Sequence, residues 1–289
     1  MLDRLKLYAE LVRLNRPIGI YLLLWPTLWA LWFAAKGIPD MKILIIFVLG
    51  VIFMRSAGCA INDYADRDID KHVARTQERP LTSGKITSKE ALGVFAILVF
   101  ASFLLVLQLN TSTIFLSVIA VLLATSYPFT KRYHYFPQVH LGAAFAWAIP
   151  MAYTAITNNL PPIDAWLLFI AALLWTTAYD TQYGMVDRED DLKIGVKSTA
   201  ILFAEHDNFI NGTLQLLTLI MLTIIGMIND RGFLFYASIM AASGFVIYQQ
   251  FLTENREPAK CLQAFLNNHW FGMVIFIGIA LDFFVLESL

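Results

Sequence analysis

Two acidic clusters follow long apolar stretches of this chain, at residues 62–70 and 187–191. If each cluster continues the helix before it, a spacing of four residues places its members on one helical face. The residues with this spacing are Asn62, Asp66 and Asp70 in the first cluster, and Asp187 and Asp191 in the second. Stacked carboxylates repel one another, and Mg²⁺ relieves that repulsion while filling the rest of its shell with water and phosphate oxygens. The clusters therefore predict a metal-bound diphosphate.

Composition indicates a membrane protein. The chain has 289 residues, of which 58% are hydrophobic and 15% are charged, with a net charge of -1. Soluble domains carry about 25% charged residues, so a polytopic membrane protein surrounded by the lipid bilayer is expected. The glycines form neither a P-loop nor a GxGxxG turn, so the sequence has no known nucleotide-binding fingerprint. No nucleic-acid partner is expected either.

A membrane-spanning helix needs about 20 apolar residues. The windows of this kind are 17–35, 42–64, 89–108, 111–127, 137–157, 163–183, 209–228, 232–251 and 268–287. We therefore predict an all-α fold of nine transmembrane helices around a central cavity that opens to the cytoplasmic side. Residues 1–289 are expected to form a single domain.

The basic residues indicate the orientation. With nine spans and an inside N-terminus, seventeen Lys and Arg residues, Arg75 among them, fall on the cytoplasmic side. Only Lys36, Lys42 and Arg231 fall outside, and Arg55 lies within a span. Because basic residues concentrate in cytoplasmic loops, this arrangement places both acidic clusters on the cytoplasmic side. Helices 2 to 4 and 6 to 8 then resemble parallel repeats, each bringing one cluster to a shared site.

Two charged residues lie deeper in the predicted spans. Arg55 precedes Asn62 by seven residues and Asp180 precedes Asp187 by seven, about two helical turns below each cluster on the same face. A charge at membrane depth costs about 2.5 to 3.5 kcal/mol and normally faces a cavity or a partner. Both residues are expected to line an interior pocket, although a structural ion pair is the alternative for Arg55.

Helix 4 is predicted to end with a similar pattern. Tyr127 and Lys131 are four residues apart, and Arg132 follows directly. A tyrosine at this depth is also typical of the aromatic belt at a membrane surface, so that interpretation of Tyr127 stays open. The two cations are candidates for binding an anionic substrate.

Other interpretations of the acidic clusters are less consistent with the sequence. A calcium loop of the EF-hand type fails, because its sixth position is Lys71 instead of Gly and its twelfth is Gln77 instead of Glu. The five histidines form no zinc-binding HxxxH or HExxH pattern. Solvated carboxylates at a helix end are common, but two clusters at matching topological positions favour a shared site.

At this point the motifs resemble a known family. The stretch NDYADRDIDKHVARTQERPL is similar to the NDxxDxxxD motif of the UbiA superfamily of intramembrane prenyltransferases, with Asn62, Asp63, Asp66 and Asp70 at the motif positions. The stretch YDTQYGMVDREDDLKIGVKSTA resembles the second motif, DxxxD. The likeness covers nearly the whole chain. Stretches such as RPIGIYLLLWPTLWALW resemble the members that act on 4-hydroxybenzoate in bacterial ubiquinone synthesis.

The resemblance implies a Mg²⁺-dependent enzyme of the bacterial inner membrane. It would transfer a polyprenyl, octaprenyl-like group from polyprenyl diphosphate to the ring carbon beside the hydroxyl of 4-hydroxybenzoate. The implied metal ligands are Asn62, Asp66, Asp70, Asp187 and Asp191, and the four aspartates are the catalytic residues. The implied substrate-binding residues are Arg55, Asn62, Asp63, Arg79, Tyr127, Lys131, Arg132, Asp180 and Lys193. Of these, Arg79 and Lys193 are expected to meet diphosphate oxygens, and the other cations the acceptor's carboxylate.

Two alternatives remain. A member of the same superfamily with another acceptor, such as a naphthoate or a porphyrin, would share every acidic residue. A transporter of a phosphorylated lipid or of Mg²⁺ would also place carboxylates in a helical bundle. Transport favours charges near the membrane midplane and broken helices, whereas these clusters lie at one face, so catalysis is the preferred hypothesis.

The charge bias generates a prediction about topology. Reporter fusions at Lys85, Lys131 and Lys193 should report the cytoplasm, and fusions at Asp40 and Asn159 the opposite side, because basic residues are retained inside. Enzyme reporters active on one side of the membrane only would measure this. An external signal at Lys193 would contradict the shared site for the two clusters.

Overall fold

The computed structural model describes residues 2–72 and 76–287, and all regular structure in these ranges is helical. Arg75, counted above as cytoplasmic, lies outside them. The α-helices are α1 (Leu2–Leu11), α2 (Ile18–Ala35), α3 (Met41–Asp66), α4 (Ser88–Val106), α5 (Thr111–Thr130), α6 (Pro137–Ala146), α7 (Ala148–Thr157), α8 (Ile163–Ile194), α9 (Thr199–Phe203), α10 (Asp207–Ile228), α11 (Phe233–Thr253) and α12 (Pro258–Glu287). Short 3-10 turns occur at Asp70–His72 and Ala204–His206.

The expectation of an all-helical membrane protein is confirmed. All nine predicted windows are helical, and eight stretches within the described residues are long and apolar enough to cross a membrane. One of the eight, 137–157, consists of α6 and α7, which meet at Trp147. The remaining window corresponds to α11, in which Gln249 and Gln250 follow Tyr248 and lower the hydropathy. The count of nine spans and the direction in which the cavity opens stay predictions.

Side-chain caps explain where several of these helices begin. Asp40 accepts hydrogen bonds from the first backbone N–H groups of α3, and Asn110 accepts one at the start of α5. Thr87 and Glu90 form a reciprocal capping box at the start of α4. Each cap satisfies backbone donors that have no partner inside the helix.

The length of α8 places the second acidic cluster beyond the apolar core of the bundle. Its 32 residues correspond to about 48 Å at 1.5 Å per residue, whereas the hydrocarbon core of a bilayer is about 30 Å thick. The helix ends at Gly195, which adopts a positive φ of 74° and donates its N–H to the carbonyl of Asp191. We call the end of the bundle where α3 and α8 finish the acidic end.

Close packing of α2, α8 and α12 forms the centre of the core. Trp29 stacks on Trp175 with 5.2 Å between ring centroids, and its indole N–H donates to the carbonyl of Gly272 at 3.1 Å. A Cβ at Gly272 would lie 2.5 Å from Trp25. Glycine at this position therefore lets α12 approach α2.

Buried amide side chains join α8 to α10, α11 and α12. Gln249 Oε1 accepts from Gln215 Nε2 at 2.6 Å, and Gln182 Oε1 accepts from Asn268 Nδ2 at 3.0 Å. Asn268 also accepts from the indole N–H of Trp175 at 2.9 Å. All of these side chains are almost fully buried. Polar groups within a membrane bundle find partners on neighbouring helices, because lipid offers none.

A buried carboxylate fixes the acidic end of α8. Asp207, fully buried at the start of α10, accepts hydrogen bonds from Arg188 of α8 and from Nε of Arg256 at 2.9 Å. Arg188 also donates to the carbonyl of Ala204 at 3.1 Å. Arg188 lies between Asp187 and Asp191, so these contacts hold the second acidic cluster against α10. We call Arg188, Asp207 and Arg256 the Asp207 clasp.

Loss of the Asp207 carboxylate should destabilise the fold. We expect Asp207→Ala to lower the free energy of unfolding by about 3 kcal/mol, the lower end for a broken buried ion pair, since both arginines keep some access to solvent. The midpoint of thermal unfolding in detergent micelles measures this. The control is Glu254→Ala, which removes an exposed carboxylate from the acidic end of α11. Equal midpoints for the two variants would contradict the prediction.

Candidate active site

A cavity of about 1290 Å³ extends from the acidic end into the bundle. Its outer part is lined by carboxylates and cations of both predicted clusters. Its inner part is lined by apolar side chains, which include Val99, Phe103 and Val106 of α4 and Val118 and Val121 of α5. One cavity therefore joins a charged region to an apolar one.

Asn62, Asp66 and Asp70 of the first cluster line the cavity, but they do not all lie on one continuous helix as predicted. Asn62 and Asp66 lie on the last turns of α3 and line the cavity, as the spacing requires. The helix ends at Asp66, so Asp70 belongs to the following 3-10 turn. Asp70 still lines the cavity, because Arg79 Nη1 donates to its Oδ2 at 2.7 Å. The ion pair with Arg79 therefore places Asp70 at the cavity, where the sequence predicts that a continued helix would place it.

Asp63 lies beside the cavity, behind two arginines that line it. It is 1% exposed and accepts hydrogen bonds at Oδ1 from Arg13 at 2.7 Å and from Arg79 at 3.1 Å. Asp63 is absent from the cavity lining. Its contacts link the segment before α2 to the loop after α3. The predicted substrate-binding role of Asp63 stays a prediction.

The second cluster follows the predicted geometry. Asp180, Asp187 and Asp191 all belong to α8, which is helical through Ile194, and all three line the cavity. The seven-residue and four-residue intervals therefore place them on one face of a single helix. The carboxylates of α3 and α8 face the same space, as the predicted shared site requires.

Lysine and arginine already neutralise part of the first cluster. Lys131 Nζ donates to Asp66 Oδ2, and Arg79 pairs with Asp70. Burial raises the pKa of the Asp70 carboxyl above its ordinary value, although the guanidinium of Arg79 partly offsets this, and the nearby carboxylates of Asp66 and Asp63 raise it further. A cation in front of Asp70 would favour its charged form.

The donor set fits a metal that is shared with a substrate. Asp66 Oδ1 is buried and accepts no hydrogen bond from the described residues. Within residues 2–72 and 76–287, no group of three or more His, Cys, Asp or Glu side chains forms a metal site by itself. Mg²⁺ typically takes one or two carboxylates and completes its shell with water and substrate phosphate oxygens. The carboxylates on opposite walls of the cavity suit that mode of binding.

Arg55 occupies the interior beneath the clusters, as predicted. Its Nη1 donates to Sγ of Cys59 at 2.7 Å, and its Nε is buried without an acceptor among the described residues. Its guanidinium carbon lies 5.9 Å from the centre of the Phe145 ring. A Cβ at Gly19 would lie 2.4 Å from Nε, so the absence of a side chain on α2 makes room for Arg55. Arg55 and Asp180 line the same cavity.

Of the other predicted substrate-binding residues, two line the cavity and two lie outside its lining. Tyr127 and Lys131 line the cavity at the end of α5. Arg132 is not in the lining, and it donates to the carbonyl of Ala65 and lies over the ring of Phe129. Lys193 is also not in the lining, because its side chain is 72% exposed and pairs with Asp190 on the outer face of α8.

Several lining residues had no recognisable signal in the sequence. Arg13, which pairs with Asp63 fifty residues later, belongs to an amphipathic segment with no motif. Gln138 lines the cavity at the start of α6 and accepts the backbone N–H of Thr199 at 2.9 Å. His269 of α12 lines it and accepts the indole N–H of Trp25 at 3.1 Å. These residues are brought together only by helix packing.

The fold defines a polytopic helical membrane protein, and its cavity joins a charged region to an apolar one. The sequence profile of the UbiA prenyltransferase family matches residues 23–273. The chain belongs to this family, which confirms the predicted resemblance.

Relatives with assigned functions match along nearly their whole length. A 4-hydroxybenzoate octaprenyltransferase from Alkalilimnicola ehrlichii is 57% identical over 280 residues, covering 97% of this chain and 95% of that protein. A 4-hydroxybenzoate octaprenyltransferase from Nitrosococcus oceani is 59% identical over 283 residues, covering 98% of this chain and 99% of that protein.

Solved structures share the fold. A UbiA homolog from Aeropyrum pernix superposes with a TM-score of 0.81 at 24% identity, covering 91% of this chain and 97% of that one. A UbiA homolog from Archaeoglobus fulgidus, bound to GPP and Mg²⁺, gives a TM-score of 0.72 at 20% identity, covering 98% of this chain and 100% of that one. The arrangement of helices is therefore that of known UbiA proteins.

Proposed function

We propose that this chain is a Mg²⁺-dependent enzyme that transfers a polyprenyl, octaprenyl-like group from polyprenyl diphosphate to 4-hydroxybenzoate in ubiquinone biosynthesis. The new bond forms at the ring carbon beside the hydroxyl, and diphosphate is released. One observation carries the proposal: a single cavity joins the carboxylates and cations of the acidic end to an apolar interior. The high identity to 4-hydroxybenzoate octaprenyltransferases supports the choice of acceptor.

The acidic end suits the diphosphate. Asn62, Asp66, Asp70, Asp187 and Asp191 would hold Mg²⁺, which would neutralise the diphosphate and the charge that develops on it as it leaves. Arg79, Lys131 and Lys193 supply cationic N–H groups at this end of the bundle. Donors that are fixed before the reaction stabilise a developing charge at little cost in reorganisation.

The interior suits the prenyl group and the acceptor ring. The allylic C–O bond breaks with its electron pair leaving on the diphosphate oxygen, and the allylic carbon becomes cationic. Aromatic rings present a negative face to such a cation, and Tyr127, Phe145 and Tyr183 line the cavity. The ring carbon beside the phenol hydroxyl then donates the pair that forms the new C–C bond, and a base removes the proton from that carbon.

Arg55 suits the carboxylate of the acceptor. It lies in the interior with a buried N–H that has no protein acceptor among the described residues, so an incoming carboxylate gives that donor a partner. Lys131 pairs with Asp66, and we infer that it contributes to both substrates. Asp180 shares this region of the lining with Tyr127, and we assign both to the acceptor pocket. Arg132 supports the pocket through its contact with α3.

The same proposal includes the location of the enzyme. The chain spans the bacterial inner membrane with its N-terminus and acidic end facing the cytoplasm. The excess of basic residues on that side supports this orientation, and it gives the charged substrates access to the cavity. Residues 1–289 act as one domain, since the lining is drawn from helices along the whole chain.

A direct assay tests the proposal. Membranes that contain this chain are given radiolabelled 4-hydroxybenzoate and octaprenyl diphosphate, with and without Mg²⁺, and the lipid extract is analysed for a prenylated acid. We expect product only with Mg²⁺. Product from a hydroxynaphthoate but none from 4-hydroxybenzoate would instead support the alternative acceptor.

Removing carboxylates from either cluster should nearly abolish turnover. We expect this of Asp66→Ala, Asp70→Ala, Asp187→Ala and Asp191→Ala, because each loses a ligand for the metal bound to the diphosphate. Initial rates in membranes measure it, and gel filtration in detergent checks folding. Asp68→Ala is the matched control, since its side chain is 69% exposed and pairs with Lys71. Rates within a few-fold of wild type for both Asp66→Ala and Asp187→Ala would refute the metal site.

Replacing Arg55 should affect the acceptor more than the donor. A contact made equally in the ground and transition states raises KM more than it lowers kcat. We expect Arg55→Ala to raise KM for 4-hydroxybenzoate by the equivalent of about 1.5 to 3 kcal/mol, the value of a hydrogen bond to a charged group. Lys131→Ala should raise KM for both substrates, because Lys131 also pairs with Asp66.

Two further variants sharpen this test. Gly19→Ala keeps the arginine but displaces its guanidinium, since the added Cβ would lie 2.4 Å from Nε, and it should reproduce the Arg55→Ala effect in weaker form. Lys89→Ala removes an exposed cation at the start of α4 and should change neither KM. Steady-state kinetics against both substrates measure these effects. A selective loss of affinity for the prenyl diphosphate in Arg55→Ala would reassign Arg55 to the donor.

A further inference from the structure

Two glycines leave the backbone of α3 bare where it faces the cavity. Gly50, Met54, Gly58 and Asn62 follow one another at intervals of four residues, and all four line the cavity. Residues with this spacing form a stripe along one face of a helix. Half of this stripe therefore has no side chain.

Helix packing does not account for these glycines. In transmembrane helices, glycine commonly serves to let neighbouring backbones approach closely, and Gly272 does so here, since its added Cβ would lie 2.5 Å from Trp25. A Cβ at Gly50 or Gly58 would meet nothing within 4 Å. Neither has a positive φ. Glycine inside a helix costs about 0.5 to 1 kcal/mol relative to alanine, and what it provides at these positions is open space.

The walls opposite this stripe are apolar. Val99, Phe103 and Val106 of α4 and Val118 and Val121 of α5 line the same cavity. Ser102 and Ser117 also line this part of the cavity, but their hydroxyls donate to carbonyls of their own helices, Leu98 at 2.9 Å and Ile114 at 2.7 Å. The space between these walls and the bare backbone of α3 therefore suits a hydrocarbon chain.

The two glycines lie at different distances from the diphosphate site. Gly58 precedes Asp66 by eight residues and Gly50 precedes it by sixteen, or about 12 Å and about 24 Å along the helix axis. A chain that starts at the acidic end and runs along α3 therefore passes Gly58 first. Only a long chain reaches Gly50.

We propose that Gly58 and Gly50 determine which lengths of isoprenoid tail the enzyme accepts, by giving the tail room to pass along α3. The inference rests on the proposed function, in that the diphosphate of the donor is taken to bind at the acidic end. A side chain at Gly58 obstructs the tail close to its reacting carbon. A side chain at Gly50 obstructs only the distant part of a long tail.

Binding of a short and a long donor to leucine variants tests the inference. Geranyl diphosphate and octaprenyl diphosphate are titrated with Mg²⁺ into the purified full chain in detergent. We expect Gly50→Leu to weaken the binding of octaprenyl diphosphate by on the order of tenfold or more, since small changes of volume in an apolar pocket have effects of this size. The affinity for geranyl diphosphate should not change. Gly58→Leu should weaken the binding of both donors.

The control is Gly93→Leu on α4, where an added Cβ also meets nothing within 4 Å but the residue does not line the cavity. Gly50→Ala, which adds one methyl group, gives a milder variant should Gly50→Leu fail to fold, and it should shift the ratio of the two affinities in the same direction. An unchanged ratio of the two affinities in the Gly50 variants would overturn the inference.

A parallel assay of transfer to 4-hydroxybenzoate separates the two ideas. If the wild type binds both donors but transfers no prenyl group, the proposed function is refuted. A lower affinity for octaprenyl diphosphate relative to geranyl diphosphate in Gly50→Leu would still support passage of the tail along α3. Wild type that makes product, with the same ratio in every variant, would refute the tail path alone.

Discussion

Carboxylates held close together in a medium with little water dominate the structure of the acidic end. Uncompensated charges there would repel one another and lose their hydration. Asp63 is therefore bound by both Arg13 and Arg79, and Asp66 is bound by Lys131. These cations come from the segment before α2, the loop after α3 and the end of α5. The ion pairs that neutralise the site thus also hold distant segments of the chain around it.

The same constraint divides the bundle into two unlike parts. Around α8, α10, α11 and α12, buried amides satisfy one another, and the Asp207 clasp fixes the acidic end of α8. Around α3, α4 and α5, apolar side chains line an open cavity. The polar part supports Asp187 and Asp191, because its hydrogen bonds join α8 to α10 and α12, α10 to α11, and α10 to the loop before α12. The apolar part provides a space that a hydrocarbon chain can fill without losing hydrogen bonds.

The helical glycines described above have three physical roles. Gly272 lets two helices approach, and Gly19 leaves room for the guanidinium of Arg55. Gly50 and Gly58 face open space inside the cavity. The residue type is the same in each case, and only the neighbours across the gap differ. The role of such a residue therefore becomes visible once the helices are packed.

The sequence by itself determined the class of fold, the approximate extent of the helices and the residues of both acidic motifs. Hydrophobic windows and four-residue spacing are local properties, and an isolated helix already expresses them. For this reason Asp180, Asp187 and Asp191 lie on one face of α8 as predicted.

Only the tertiary structure decided which charges meet. Asp63 belongs to the first motif, yet it does not line the cavity and pairs with Arg13, which does, and Asp70 reaches the cavity through Arg79 after the helix has ended. Arg132 and Lys193 lie next to site residues in the sequence, but neither lines the cavity. Such contacts depend on the angles and separations between helices that are far apart along the chain. Periodicity within one helix carries no information about those quantities.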